Sequence, residues 1–190
     1  MSEKRISDLL APGTRFLRSA HLERDFHDST ALSGYVLTDF SRDCMSRMAT
    51  GLKPRSGQRA WRVTGDYGSG KSSFALLLAH WLAGDDAKFP PQIRKAADFH
   101  QFGVPRPHFV PVLVTCSRQP LGVSILKSLQ QTLSGLYRHG AKSKLALEVQ
   151  RLIESKHEPT EDEIFDLIHD VNSRIIADTK GKGLLRMALS

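Results

Sequence analysis

Residues 65–72 read Gly-Asp-Tyr-Gly-Ser-Gly-Lys-Ser, which satisfies every fixed position of G-x-x-x-x-G-K-[ST]. The chemistry open to such a run is recognition of a polyphosphate. Glycine at 65, 68 and 70 gives the backbone access to positive φ and lets it approach phosphate oxygens with no Cβ in the way. Successive N–H groups then converge as an anion-binding nest at the start of a helix, where the helix dipole also favours negative charge. Lys71 is placed to reach the β- and γ-phosphates, and the Ser72 hydroxyl to ligate Mg²⁺. The candidate binding set is Gly65, Asp66, Tyr67, Gly68, Ser69, Gly70, Lys71, Ser72 and Ser73, with Ser72 as the metal-binding member.

A pattern this short also arises by chance, so the elements that must position it matter. Before the loop, Arg59-Ala-Trp-Arg-Val-Thr64 contains several β-formers and predicts a short strand. After it, Phe74-Ala-Leu-Leu-Leu-Ala-His-Trp-Leu82 is apolar on nearly every face and stops at Gly84, as a buried helix does. Strand, glycine loop and helix are the context the motif requires.

The rest of the chain supplies a frame. Ser7 to Leu10 predicts a short helix ended by Pro12-Gly13, and the polar stretch 14–30, with His21 and His27, reads as an extended connector. Leu37, Phe40, Cys44, Met45, Met48 and Leu52 recur at helical spacing between Gly34 and Gly51. A short helix is expected from Pro91 to about Asp98. Phe109-Val-Pro-Val-Leu-Val-Thr115 is a near-continuous apolar run, the pattern of a strand buried on both faces of a parallel sheet. Helices follow over 121–136, which Gly140 ends, and over 143–156. Thr160-Glu-Asp-Glu163 forms a capping box for a last helix running through Ile175. The fold class expected is α/β: a parallel sheet with flanking helices. The boundaries expected are an N-terminal helical and connector extension over 1–57 and a nucleotide-binding domain over 58–190.

At 190 residues and 40% hydrophobic content the chain can bury a core. It has no run of about 18 apolar residues and no secretory leader, so a cytoplasmic protein with no membrane partner is expected. Cys44 and Cys116 are far apart, which gives neither a disulfide framework nor a zinc site. The formal charge of +7 and pI near 9.6 permit contact with nucleic acid. The basic residues are scattered without a dense patch, however, and favour a solvated surface instead.

One part of the chemistry is missing. Hydrolysis at a P-loop needs an acid, usually at the end of an apolar strand, to hold the Mg²⁺ shell and position water. Ile175-Ile-Ala-Asp178 continues a helical pattern, Phe109–Thr115 ends without a carboxylate, and Asp166 and Asp170 read as a solvated face. Lys180-Gly-Lys-Gly183 predicts a turn, and Leu184-Leu185 begins what reads as a strand. The expectation is that the acidic strand would start at Leu184 and that the chain stops before completing it. An exposed sheet edge would then remain through which copies associate.

The stretch from Phe16 to Gly84, centred on Val63-Thr-Gly-Asp-Tyr-Gly-Ser-Gly-Lys-Ser-Ser73, resembles the N-terminal region of large bacterial AAA-type ATPases. The likeness is to the origin-recognition-like group and to the ATPases of phage-defence systems. Val110-Pro-Val-Leu-Val-Thr-Cys-Ser-Arg-Gln-Pro-Leu121 is similar to their second strand and the turn after it. The resemblance implies a P-loop NTPase fold, an incomplete AAA-type domain, ATP and Mg²⁺ as cofactors, and Gly65, Gly70, Lys71 and Ser72 as binding positions. It places the nucleobase near 16–35. Arg186 departs from the acidic strand of that group, so binding without efficient turnover is expected. A small-molecule kinase and a non-hydrolysing nucleotide-dependent switch remain as alternatives.

Overall fold

The computed structural model describes residues 20–53, 55–58, 60–85, 87, 89–96, 99–102, 108–115, 118–136, 143–155, 159–178 and 184–189. The expected Ser7–Leu10 helix, the Gly140 stop and the 180–183 turn lie outside them. In chain order the elements are α1 (Leu22–Asp25), α2 (Asp39–Gly51), α3 (Lys71–Ala83), α4 (Pro91–Ala96), a 3-10 turn at Phe99–Phe102 and β1 (Val110–Thr115). After them come α5 (Leu121–Leu136), α6 (Ser143–Ile153), α7 (Glu161–Asp178) and β2 (Leu184–Leu189).

β1 and β2 pair in parallel, in a register that runs from Val110 opposite Leu184 to Thr115 opposite Leu189. The strand expected to start at Leu184 and remain incomplete is therefore paired from Leu184 through Leu189. Its main chain finds a ladder along the whole of β1, and ladder bonds do not depend on the side chain at 186.

Side chains alternate across a strand, and β1 uses both faces. Val110, Val112 and Val114 join Leu126, Leu129 and Leu133 of α5, Val149 of α6, and Ile168, Val171 and Ile175 of α7. Leu113 enters a second cluster with Leu22, Met45, Met48, Phe89, Ile93 and the apolar residues of α3. Helices thus cover both faces of β1, which is why its sequence is apolar without alternation. Pro111, the second residue of the strand, faces Leu185 in the pair.

Helices α2, α3 and α7 each have a legible reason to start or stop. Thr38 caps α2 by accepting from the Ser41 N–H at 3.2 Å. The expected capping box of α7 is formed: Thr160 Oγ1 accepts from Glu163 N at 3.3 Å, and Glu163 Oε2 accepts from Thr160 N at 2.8 Å. We expect Thr160→Ala to lower stability by about 1 kcal/mol in urea unfolding, since one of these reciprocal bonds and the cap itself are lost. Gly84 ends α3 in the left-handed region, at φ 75°. The helix of Ile175–Asp178 continues without a break, so Asp178 is not at a strand end.

Two expectations fail near the loop. Residues 60–66 form no strand, and Trp61 and Val63 are 42% and 39% exposed. Trp61 packs instead on Gly51 at the end of α2, where a Cβ would stand 2.7 Å from Trp61 Cζ2 and 2.8 Å from Gln58 O. Local β propensity is overridden when the side chain finds its partner on a helix. Gly51→Ala is expected to cost about 1–3 kcal/mol, because the Gln58 carbonyl is backbone and cannot swing away. A shift in Trp61 fluorescence with a lowered urea midpoint is the readout.

The other failure is the connector. Residues 20–34 hold the short helix α1 and a series of turns, with Leu22, Asp25, Ala31 and Leu32 buried. Leu22 and Phe26 stand at i, i+4 and turn toward the core, so the polar residues between them mark one face of a helix rather than a linker.

Candidate functional site

The glycine loop is held by its own backbone and by one side chain. Ser69 N donates to Asp66 O at 3.2 Å, which closes a turn over 66–69. Gly68 and Gly70 adopt φ of 80° and 82°, and a Cβ at either would face open space. Both glycines are required by conformation. Gly65 is not: its φ is not positive, contrary to expectation. A Cβ there would lie 2.9 Å from Ser69 Oγ, a contact that rotation of the exposed serine side chain relieves.

Gly70 is also the N-cap of α3 and offers no side-chain acceptor. Phe74 N donates to Gly70 O at 2.9 Å, the first intrahelical bond. The amides of Lys71, Ser72 and Ser73 precede that bond and lack an i−4 acceptor within the helix. No acidic residue lies in the first turn. By contrast, α2 and α7 begin with a threonine cap, and the first turn of α7 holds Glu161, Asp162 and Glu163. The start of α3 therefore leaves its donors and its positive dipole end available to an anion, whereas α2 and α7 neutralise theirs. Helices α4, α5 and α6 share the acid-free first turn but not the glycine loop before it.

Lys71 is held against the loop. Its ammonium folds back over the loop and donates to Gly65 O and Asp66 O, both at 2.8 Å. That places the cation over the same backbone that presents the N–H groups. Asp66, Tyr67, Gly68, Ser69 and Gly70 are exposed, Tyr67 by 97%, while Lys71, Ser72 and Ser73 are partly buried where the helix enters the core.

The loop fits a polyphosphate by the chemistry of its donors: consecutive backbone N–H groups, an ammonium and the hydroxyls of Ser69, Ser72 and Ser73. For a metal the fit is narrower. Among the described residues no group of three or more His, Cys, Asp or Glu side chains could hold an ion. Ser72 can offer a single oxygen, which suits Mg²⁺ bound chiefly through phosphates and water. His21 and His27 form no ligand set. Asp166 is exposed, and Asp170 pairs with Arg174 at 2.7 Å.

Sequence reasoning missed the polar end of α1. Glu23 Oε1 accepts from Thr115 N at 2.9 Å, across 92 positions of chain, and Glu23 Oε2 lies 3.5 Å from His21 Nδ1. Asp25, 5% exposed, accepts from His21 N and from Arg24 Nε, both at 2.8 Å. The hydrogen bond to Asp25 holds the Arg24 guanidinium pKa above its ordinary value. Leu22 and Phe26, spaced at i, i+4 around three charged residues, were the available signal.

Comparison with family models, with curated proteins and with solved structures gave no match to this chain. What the site can do is carried by its own residues. Among the described residues, no helix is long and apolar enough to cross a membrane.

Proposed function

We propose that this chain is a nucleotide-binding module of the P-loop type, taking ATP with Mg²⁺ on Gly65–Ser73. On this reading the parallel pair β1–β2 with its flanking helices belongs to an α/β P-loop NTPase domain of AAA type. The observation that carries the proposal is the junction at Gly70–Lys71. There a complete G-x-x-x-x-G-K-[ST] motif meets an uncapped, acid-free helix start, with the Lys71 ammonium drawn over the loop.

In this reading the loop amides and the first-turn amides of α3 bind and orient the phosphates. Lys71 exchanges its two carbonyl partners for phosphate oxygens, and Ser72 contributes one oxygen toward the metal. Mg²⁺ supplies charge neutralisation across the bridging phosphates. Equilibrium titration of the full chain with ATP and Mg²⁺ tests it. Saturable binding at one site is expected, and no binding at millimolar nucleotide, on the order of 1 mM, overturns it.

A second reading, a nucleotide-dependent switch that does not hydrolyse, is favoured by the composition of β2. The strand paired with β1 reads Leu-Leu-Arg-Met-Ala-Leu and brings no carboxylate. With no acid from that strand to support the metal or orient water, phosphate release should stay near background while nucleotide remains bound. Lys71-dependent release of phosphate at about 1 s⁻¹ or faster would rule this second reading out.

A further inference from the structure

We propose that α1 is a positioning clamp for the nucleotide site and that Glu23 is the residue through which it acts. The proposal rests on the nucleotide-binding reading above.

The short helix α1 is anchored at two places on two different elements. Glu23 Oε1 accepts the Thr115 N–H at 2.9 Å, at the carboxyl end of β1. Three residues further on, Phe26 stacks on His80 of α3, with ring centroids 4.3 Å apart and planes 7° apart. His80 is itself buried and lies 3.5 Å from Asp85. Leu22, between the two anchors and the core, is 1% exposed. One four-residue helix therefore fixes the carboxyl end of β1 relative to the helix that starts at Lys71.

That relation matters for a ligand. β1 begins beside the far end of α3, where Phe109 N donates to Leu82 O at 2.9 Å, and Leu113 still packs in the cluster that contains Phe74. Ligands of parallel α/β units sit outside the carboxyl ends of the strands, beside the helix N-terminus that takes their phosphates. The Glu23 carboxylate closes the ladder end at Thr115, whose Oγ1 is buried and has no hydrogen-bond partner among the described residues. Losing the clamp leaves the loop intact but lets the strand end and α3 move apart. Affinity then falls in proportion to the fraction of molecules still in the competent arrangement. A carboxylate accepting a backbone N–H is strong enough to hold about nine-tenths of the population there.

The test uses the full chain and ATP with Mg²⁺ as the probe. Glu23→Ala is expected to weaken ATP affinity about tenfold and to speed amide exchange at Thr115 and its neighbours, with far-UV dichroism unchanged. Glu23→Gln keeps an acceptor oxygen and should restore affinity to within about twofold of the parent. Glu23→Asp, one methylene short, should fall between them. Unchanged ATP affinity in Glu23→Ala, with Thr115 exchange accelerated, would show that the clamp holds the strand but does not serve the site. Exchange accelerated uniformly through the protein would make Glu23 a matter of global stability and also overturn the proposal. If the parent protein itself binds no ATP, the nucleotide reading fails, and Thr115 exchange still answers separately whether the clamp exists.

Discussion

Lys71→Ala should lower ATP·Mg²⁺ affinity by about a hundredfold or more while leaving the melting temperature within a few degrees of the parent. The first effect follows from removing the loop's only ammonium from charge-assisted bonds to phosphate, each worth roughly 1.5–3 kcal/mol. The second follows from what the ammonium touches without nucleotide. Its two partners, Gly65 O and Asp66 O, belong to an exposed loop, and water can replace the lysine at both carbonyls. The stability change should therefore stay within about 0.5 kcal/mol, as at other surface sites. Calorimetric titration of both proteins, paired with thermal melts, separates the two quantities. Equal affinity in parent and variant would remove Lys71 from the site. A melting point lowered by ten degrees or so would make it a structural residue of the loop instead.

Trp81→Ala is expected to cost about 3–5 kcal/mol, the largest stability effect of any change considered, against a total of roughly 5–15 kcal/mol for a domain. Trp81 is fully buried, and its ring meets Phe102 edge-on at 5.6 Å. It lies on a helix whose neighbours Leu76 to Leu82 are all buried, so little surrounding structure can collapse into the space left behind. Because α3 starts at Lys71, loosening its packing should also blunt the loop's order. ATP affinity is expected to fall along with stability, unlike the clean separation at Lys71. Urea unfolding followed by far-UV dichroism checks the first claim. A midpoint within about 0.5 kcal/mol of the parent would mean that the α3 core is not packed as described.

Sequence by itself determined the turn geometry of the loop and many element boundaries, because those depend on local rules. Two glycines reach positive φ where the motif puts them, at Gly68 and Gly70. Gly84 stops α3, and Thr160 with Glu163 starts α7, since caps and turns are settled within a few residues. The apolar run 110–115 announced a strand covered on both sides, and periodicity located α2, α5, α6 and α7.

Only the tertiary structure decided the rest, and in each case a partner distant in sequence was the cause. Residues 60–64 have the composition of a strand, yet Trp61 finds its contact on Gly51, and local propensity yields. Residues 184–189 read as the start of a strand left incomplete, yet all six pair with β1, because a main-chain ladder is indifferent to the charge at Arg186. Gly65 was assigned positive φ, yet it does not adopt it, and its nearest neighbour across the turn is the Ser69 hydroxyl. Lys71 finds two carbonyls to cover. Glu23 sits in a polar stretch that looked like a linker, and its meaning depends on an N–H 92 residues away. Local spacing can specify a donor, an acceptor or a turn. Which of them meet is fixed by packing, and no spacing rule contains it.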